Sequence, residues 1–429
     1  MKAPTLRTLP RALGLALATL LTLAGAQAQA AADPALVAAR QKIFGVENVD
    51  AATGALPHDR VLFSWLTNST FAASFAGRVV FLDTFVTRLE TDDKGRTPFV
   101  IQDLVDLQPE AILLGHGHYD HADNAAYIAA RTGAAIYATA ENCGVMQSDF
   151  ARQKADPAIQ GNPSTRFAPN AQVVCHQVTT AGSAPATQVV RIPVLEPTAC
   201  VIAFRHMHSV EVPADRDFPP TPVKILIDPR DAVLFPPRTS LTPAKGAAAQ
   251  PGQMDLSTHG DRGPGDAAPL FFDFVMRGGS NLTIAWHNSA GALKEGKGQG
   301  WNGNAEDGKR IDALLRRLPY TDVQMGTAST ANFTNNGLRD LIQYQDALKP
   351  RIFVPNHLTT GSQTREASSL AVFAGYRNQL ELMGRPRSEW PQMRWLIDPV
   401  DYGVPFGFST TASAWARPGK KARIDSFCQ

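Results

Sequence analysis

Only four of the 429 residues are cysteine, and no two of them form a C-x-x-C pair, so a thiolate metal knuckle and a dithiol redox motif are both excluded. Nor is there a G-x-S-x-G elbow or a Gly-rich phosphate loop, which leaves no visible serine nucleophile or nucleotide cradle. An excess of one charge is also missing. Lys plus Arg is 41 and Asp plus Glu is 39, and a net charge of +2 draws neither nucleic acid nor an anionic membrane. No stretch after the N-terminal region approaches the roughly 20 apolar residues that cross a bilayer, so no stable membrane insertion is expected. What remains, 44% hydrophobic and 19% charged, is the balance of a globular chain that buries a large core.

Residues 1–30 read as a secretory signal. Lys2, Arg7 and Arg11 precede an apolar run at 12–24, and the small-residue pattern AQAQA follows, with cleavage expected after Ala28 or Ala30. The run is too short for a membrane anchor. Its removal takes the net charge from +2 to −1, and the product is expected to be periplasmic or secreted. In an oxidising compartment Cys143, Cys175, Cys200 and Cys428 suggest two disulfides, with three pairings open. Proximity favours Cys143 with Cys175, which leaves Cys200 for Cys428.

Residues 31–429 are read as one domain of two similar halves. Short strands are expected at 61–65, 72–75 and 79–85, then a helix at 99–107, a buried strand at 111–114, a helix at 124–133 and a strand at 134–139. Segments 189–197 and 200–208 read as further strands. Residues 235–269, crowded with Pro, Gly, Ala, Ser and Thr, read as a long surface insertion and a candidate lid. Strands then follow at 269–279 and 281–288, with helices near 305–318 and 338–348 and strands at 322–326 and 351–357. Both halves begin with strands and then alternate them with helices.

The chemistry concentrates in GHGHYDHAD, where His116, His118, Asp120 and His121 follow a buried strand directly. Residues 116 and 118 project to one side of an extended turn, whereas 120 and 121 open a helix and face elsewhere, so one short segment supplies two neighbouring metal positions. Imidazole and carboxylate suit zinc and several other divalent metals.

HxHxDH after a strand resembles the signature of the metallo-β-lactamase superfamily of metallohydrolases, and HYDHAD looks closest to its lactonase and phospholipase D-like branch. The resemblance spans most of residues 31–429. It implies an α/β fold, an αβ/βα four-layer sandwich of two mixed β-sheets flanked by helices, with two Zn2+ ions at one sheet edge. His116, His118 and His208 would hold the first ion, and Asp120, His121 and His357 the second. His206 shares a strand face with His208 and is the alternative ligand. The family's bridging Asp is replaced by Asn288, a neutral amide that would weaken the second site unless His287 contributes. Asp83, in FLDTF, would orient the His-rich turn, and Asp123 would do similar work. Tyr119 would line the pocket or pack against the sheet, Trp301 and His259 are solvated loop residues or reach a substrate from their loops, and Asp228 fits a structural turn.

A metal so placed lowers the pKa of bound water to about 7 and supplies hydroxide at neutral pH. The function expected is hydrolysis of an ester, lactone or amide bond in a small molecule, with Asp120 orienting the water or carrying its proton. The alternatives are a phosphodiesterase on the same site, a non-catalytic protein that keeps a metal for structure, and an iron oxidoreductase with the same ligands.

Overall fold

The structure, a computed structural model, describes residues 33–88, 97–210, 249–257, 262–329, 337–359 and 368–429. The signal segment, Asp228, His259 and part of the insertion lie outside them.

In chain order the elements are α1 (Pro34–Phe44), β1 (Arg60–Thr67), β2 (Thr70–Phe75), β3 (Arg78–Leu82), α2 (Ile101–Asp106), β4 (Ala111–Leu113), α3 (Tyr119–Ala122), α4 (Ala125–Thr132), β5 (Ala135–Thr139), α5 (Ala140–Ala155), α6 (Pro157–Gln160), β6 (Cys175–Thr179), β7 (Val189–Ile192) and β8 (Ala199–Arg205). They continue with β9 (Leu270–Met276), β10 (Thr283–His287), a two-strand ribbon β11 (Lys297–Gly298) and β12 (Trp301–Asn302), α7 (Ala305–Arg317), β13 (Val323–Thr327), α8 (Gly337–Leu348), β14 (Ile352–Asn356), α9 (Ser369–Leu382), β15 (Gln392–Met393), β16 (Phe406–Ser409) and α10 (Lys420–Cys428).

Two seven-stranded mixed sheets result, ordered β16-β1-β2-β3-β4-β5-β6 and β15-β14-β13-β10-β9-β8-β7. Their plans mirror each other: antiparallel pairs from β16 to β3 and from β7 to β10, then parallel pairs from β3 to β6 and from β10 to β15. Period-2 alternation explains the layering. Phe63, Trp65, Phe71 and Phe75 point inward to meet Phe272, Phe274 and Trp286, with Phe75 and Phe274 stacked at 4.6 Å. Leu62, Leu66 and Ala72 point outward to a second core shared with α1, α4 and α5, and Phe271 and Val275 to a third shared with α7 and α10. Each sheet is apolar on both faces because each is covered on both. This is the four-layer αβ/βα sandwich that the sequence resemblance implies.

Three expectations change. The strand expected at 189–197 ends at Ile192 and gives way to turns. The described parts of the 235–269 insertion are surface loop only in part: Ser257 and Arg262 are exposed, but Met254 is fully buried, its N–H donates to Asp123 Oδ1 at 2.8 Å, and Gly252 O accepts from Asn124 Nδ2 at 2.7 Å. Polar groups of the His-rich turn draw this strap inward. Finally α5, β6, α9, β16 and α10 are elements the sequence pattern left unassigned.

Both disulfides form, Cys143–Cys175 between α5 and β6 and Cys200–Cys428 between β8 and α10. The second spans 228 residues and pins the last helix to the sheet. Replacing Cys200 and Cys428 together by Ser is expected to cost about 2–5 kcal/mol of unfolding free energy. Denaturant melts of the variant, and of the parent with reductant, check this.

Candidate metal centre

The site lies where β3, β4, β8, β10 and β14 end, and its organiser is Asp83. This residue leaves β3 at φ 56°, a left-handed conformation that Asp tolerates. Its fully buried carboxylate accepts from Gly115 N (2.8 Å) at Oδ1, and from Ser69 Oγ (2.7 Å) and Asn288 Nδ2 (2.8 Å) at Oδ2, which also faces His121 Nδ1 at 2.8 Å. Gly115 is required there, since a Cβ would stand 2.1 Å from Asn288 Nδ2. Gly117 donates its N–H to Asp266 O at 3.1 Å, and a Cβ on the facing Gly265 would lie 1.6 Å from Gly117 O, so strap and turn meet backbone to backbone.

Two triads of donors stand side by side, His116 with His118 and His208, and Asp120 with His121 and His357. In each, the ligand atoms lie within 4.8 Å of one another. The His116 and His121 rings, one from each triad, are 4.0 Å apart. Outer partners select the tautomers. His116 Nδ1 gives its proton to Asn288 Oδ1 (3.0 Å) and His208 Nδ1 to Ser209 O (2.8 Å), so each offers Nε2 inward. His116 Nε2 then faces His118 Nδ1 at 3.1 Å. Burial holds His116 and His208 well below the ordinary imidazole pKa and His118 down to about 4. Three uncharged imidazoles converging this closely fit a divalent cation.

The second triad is charged. His121 Nδ1 faces Asp83, while His121 Nε2 and His357 Nε2 stand 3.3 Å and 3.2 Å from Asp120 Oδ2. Burial alone would lower the His121 pKa, but the carboxylates of Asp120 and Asp83 hold it up to about 10. Asp120 stays well below the ordinary carboxylate range, because His121 and His357 outweigh its desolvation. A carboxylate oxygen with two imidazole nitrogens is a second set that suits zinc or a similar metal.

The remaining expected residues fall elsewhere. His206 is buried behind the site, its Nδ1 3.2 Å from Tyr344 OH, because β8 ends at Arg205 and the turning chain carries only His208 to the metal side. His287 lies outside both triads: its Nδ1 donates to Ser289 O (2.7 Å), its Nε2 meets Gln324 Nε2 (2.8 Å), and it stacks between Phe271 and Tyr344. Asn288 packs against one ring of each triad. It touches only the Nδ1 sides of His116 and His121, and an amide is needed there because it donates to Asp83 while accepting from His116. Asp123 binds Arg88 Nη2 (2.9 Å), Met254 N and Thr87 Oγ1 rather than the ligands, and burial raises its pKa to about 6. Tyr119 packs edge-on to Phe85 under the Arg88 guanidinium, and Trp301 lies half-buried on β12. Asn68 and Ser69, between the expected strands 61–65 and 72–75, are further site residues. The signal was their polar, turn-forming character beside a strand end, which is too common to single them out.

Fold and site together define a class: an αβ/βα sandwich in which a triad of three imidazoles stands beside one of two imidazoles and a carboxylate, an arrangement similar to that of the metallo-β-lactamase superfamily that the HxHxDH signature resembles. No family model and no curated protein matches the chain. Among solved structures it is similar to a metallo hydrolase from the hyperthermophilic archaeon Ignicoccus hospitalis (12% identity, 82% of this chain and 99% of that one, TM-score 0.44). It is also similar to an isothiocyanate hydrolase from Delia radicum gut bacteria (13%, 81% and 99%, 0.41) and to the metallo-beta-lactamase fold protein YhfI from Bacillus subtilis (8%, 82% and 100%, 0.39).

Two outcomes follow from this geometry. Asn288→Asp sets a second carboxylate against Asp83 Oδ2 and is expected to lower stability by about 1–3 kcal/mol in denaturant melts. A gain in metal affinity with unchanged stability would restore the bridging assignment. Metal uptake at pH 7 is expected to release about one proton from His121, which the metal-free protein keeps protonated to about pH 10, and none from His116, His118 or His208. Calorimetry in buffers of different ionisation enthalpy separates the two steps.

Proposed function

We propose that the chain is an exported hydrolase with zinc in both triads, cleaving an ester, lactone or amide bond of a small molecule. The observation that carries this reading is the placement of Asp120: its Oδ2 is shared by both nitrogen ligands of the second triad, and its side chain keeps 21% of its surface open to solvent. A divalent ion bound there supplies Lewis acidity and a water of lowered pKa. The protein's own part is orientation. Asp120 and His357, 22% exposed, form the accessible side of the site, while His116, His121 and Asp83 are buried and rigidly paired. Asp120 holds an attacking water by hydrogen bonding and receives its proton, and the neutral histidines of the first triad leave the centre net positive toward a developing oxyanion. Two disulfides, with the signal-like residues 1–30, support export.

Phosphodiester cleavage is the second reading, favoured by Arg262. Its exposed guanidinium donates to Gln299 Oε1, Gln299 N donates to His208 O at 3.3 Å, and its charge acts on His118. A cation so placed suits an anionic substrate.

Metal analysis of protein purified without added metal or chelator, followed by a panel of lactones, esters, amides and phosphodiesters, tests both. Two ions per chain and turnover of one substrate class are expected. Asp120→Ala should reduce that turnover by about 10²- to 10⁴-fold and leave the first triad able to take up metal. Undiminished turnover in that variant would overturn the mechanism, and one tightly held ion whose removal unfolds the chain would instead make the metal structural.

A further inference from the structure

We infer that Asn68, in the turn between β1 and β2, is a positioning residue that sets the geometry of the second triad from both halves of the fold. The inference rests on the reading of Asp120, His121 and His357 as metal ligands. The Asn68 side chain donates Nδ2 to Asp120 O at 2.9 Å and to Asp120 Oδ2 at 3.1 Å. That oxygen is the one facing His121 Nε2 and His357 Nε2. The Asn68 main chain reaches the other half. Its carbonyl accepts from His357 N at 3.0 Å and from Trp65 Nε1 at 2.7 Å, and its N–H donates to Thr359 Oγ1 at 2.5 Å. A single residue, 3% exposed, therefore references two of the three donors to one point.

The turn itself does not require asparagine's amide. Asn68 has φ 41°, which glycine adopts at least as readily. What asparagine adds is the pair of bonds to Asp120. A donor on one lone pair of Oδ2 fixes the carboxylate rotamer and turns the remaining lone pair toward the two imidazoles, the usual task of an outer partner at a metal site. His357 is itself left-handed at φ 62°, and the N–H of that residue is the one that donates to the Asn68 carbonyl.

Asn68→Gly deletes the amide and keeps the left-handed turn and every main-chain bond. Asn68→Ser, whose hydroxyl is too short to reach Asp120, is the second variant should the first fold poorly. Metal-free parent and variants are titrated with Co(II), following visible ligand-field bands and heat, with the melting temperature of each metal-free form as the control for folding. The parent is expected to take up two ions in distinguishable steps. In either variant the first step should stay within about twofold, while the second weakens by about 10- to 100-fold with a changed spectrum. A second ion bound within about threefold of the parent, with the same spectrum, would overturn the role of Asn68. A parent that takes up fewer than two ions would overturn the ligand assignment beneath it, a result separate from any failure to find a hydrolysed substrate.

Discussion

The whole centre depends on the Asp83 carboxylate being buried and saturated. A buried carboxylate is costly unless its oxygens are engaged, and here backbone, hydroxyl, amide and imidazole groups all reach it. Each of those groups is then fixed. Gly115 begins the His-rich turn, Ser69 belongs to the β1–β2 turn, and His121 is turned so that its Nε2 points to Asp120. Asn288 relays the constraint to His116 in the other triad. One carboxylate thus sets the tautomers in both triads without touching an ion position itself.

The two triads differ electrically. The first is three neutral imidazoles kept uncharged by desolvation, and the second holds an anionic oxygen against the protonated His121 ring. In the metal-free protein the second triad is an internal ion cluster that satisfies itself, whereas the first carries no charge and joins its rings only through the 3.1 Å contact of His116 Nε2 with His118 Nδ1. The first therefore gains more from a cation and the second gives up more to receive one.

Much of this was legible in the sequence. GHGHYDHAD after an apolar strand places four donors because strand, turn and helix start fix their directions, and His208 and His357 follow strands in the same way. The strand pattern of β1 to β4 and β8 to β10 is strong because those strands are apolar on both faces. Other parts were hidden for physical reasons. Helix α5 buries Asn142, Asp149 and Gln153 along with Cys143 and Met146, and Asp149 is satisfied there by Arg152 and Gln153, so no apolar stripe shows. Strand β6 is an edge with His176 and Gln177 exposed, and β16 pairs with β1 across most of the chain. Asn288 could not be placed by order alone, because its partners come from residues 83, 116 and 121, all far away in sequence. The same is true of Asn68, whose amide meets a carboxylate 52 positions on.

The mirrored sheets contribute unequally to the centre. Each triad draws two donors from the chain just after β4 in the first sheet, His116 and His118 from the turn and Asp120 and His121 from α3, and one, His208 or His357, from beyond a strand end in the second. An ion in either triad is thus a noncovalent staple between the halves. If the chain were cut between β6 and β7, at residues 180–188, neither fragment would own a complete coordination set. Metal uptake by a mixture of the fragments would count reassembled molecules, making the ion a direct tally of how often the halves find each other.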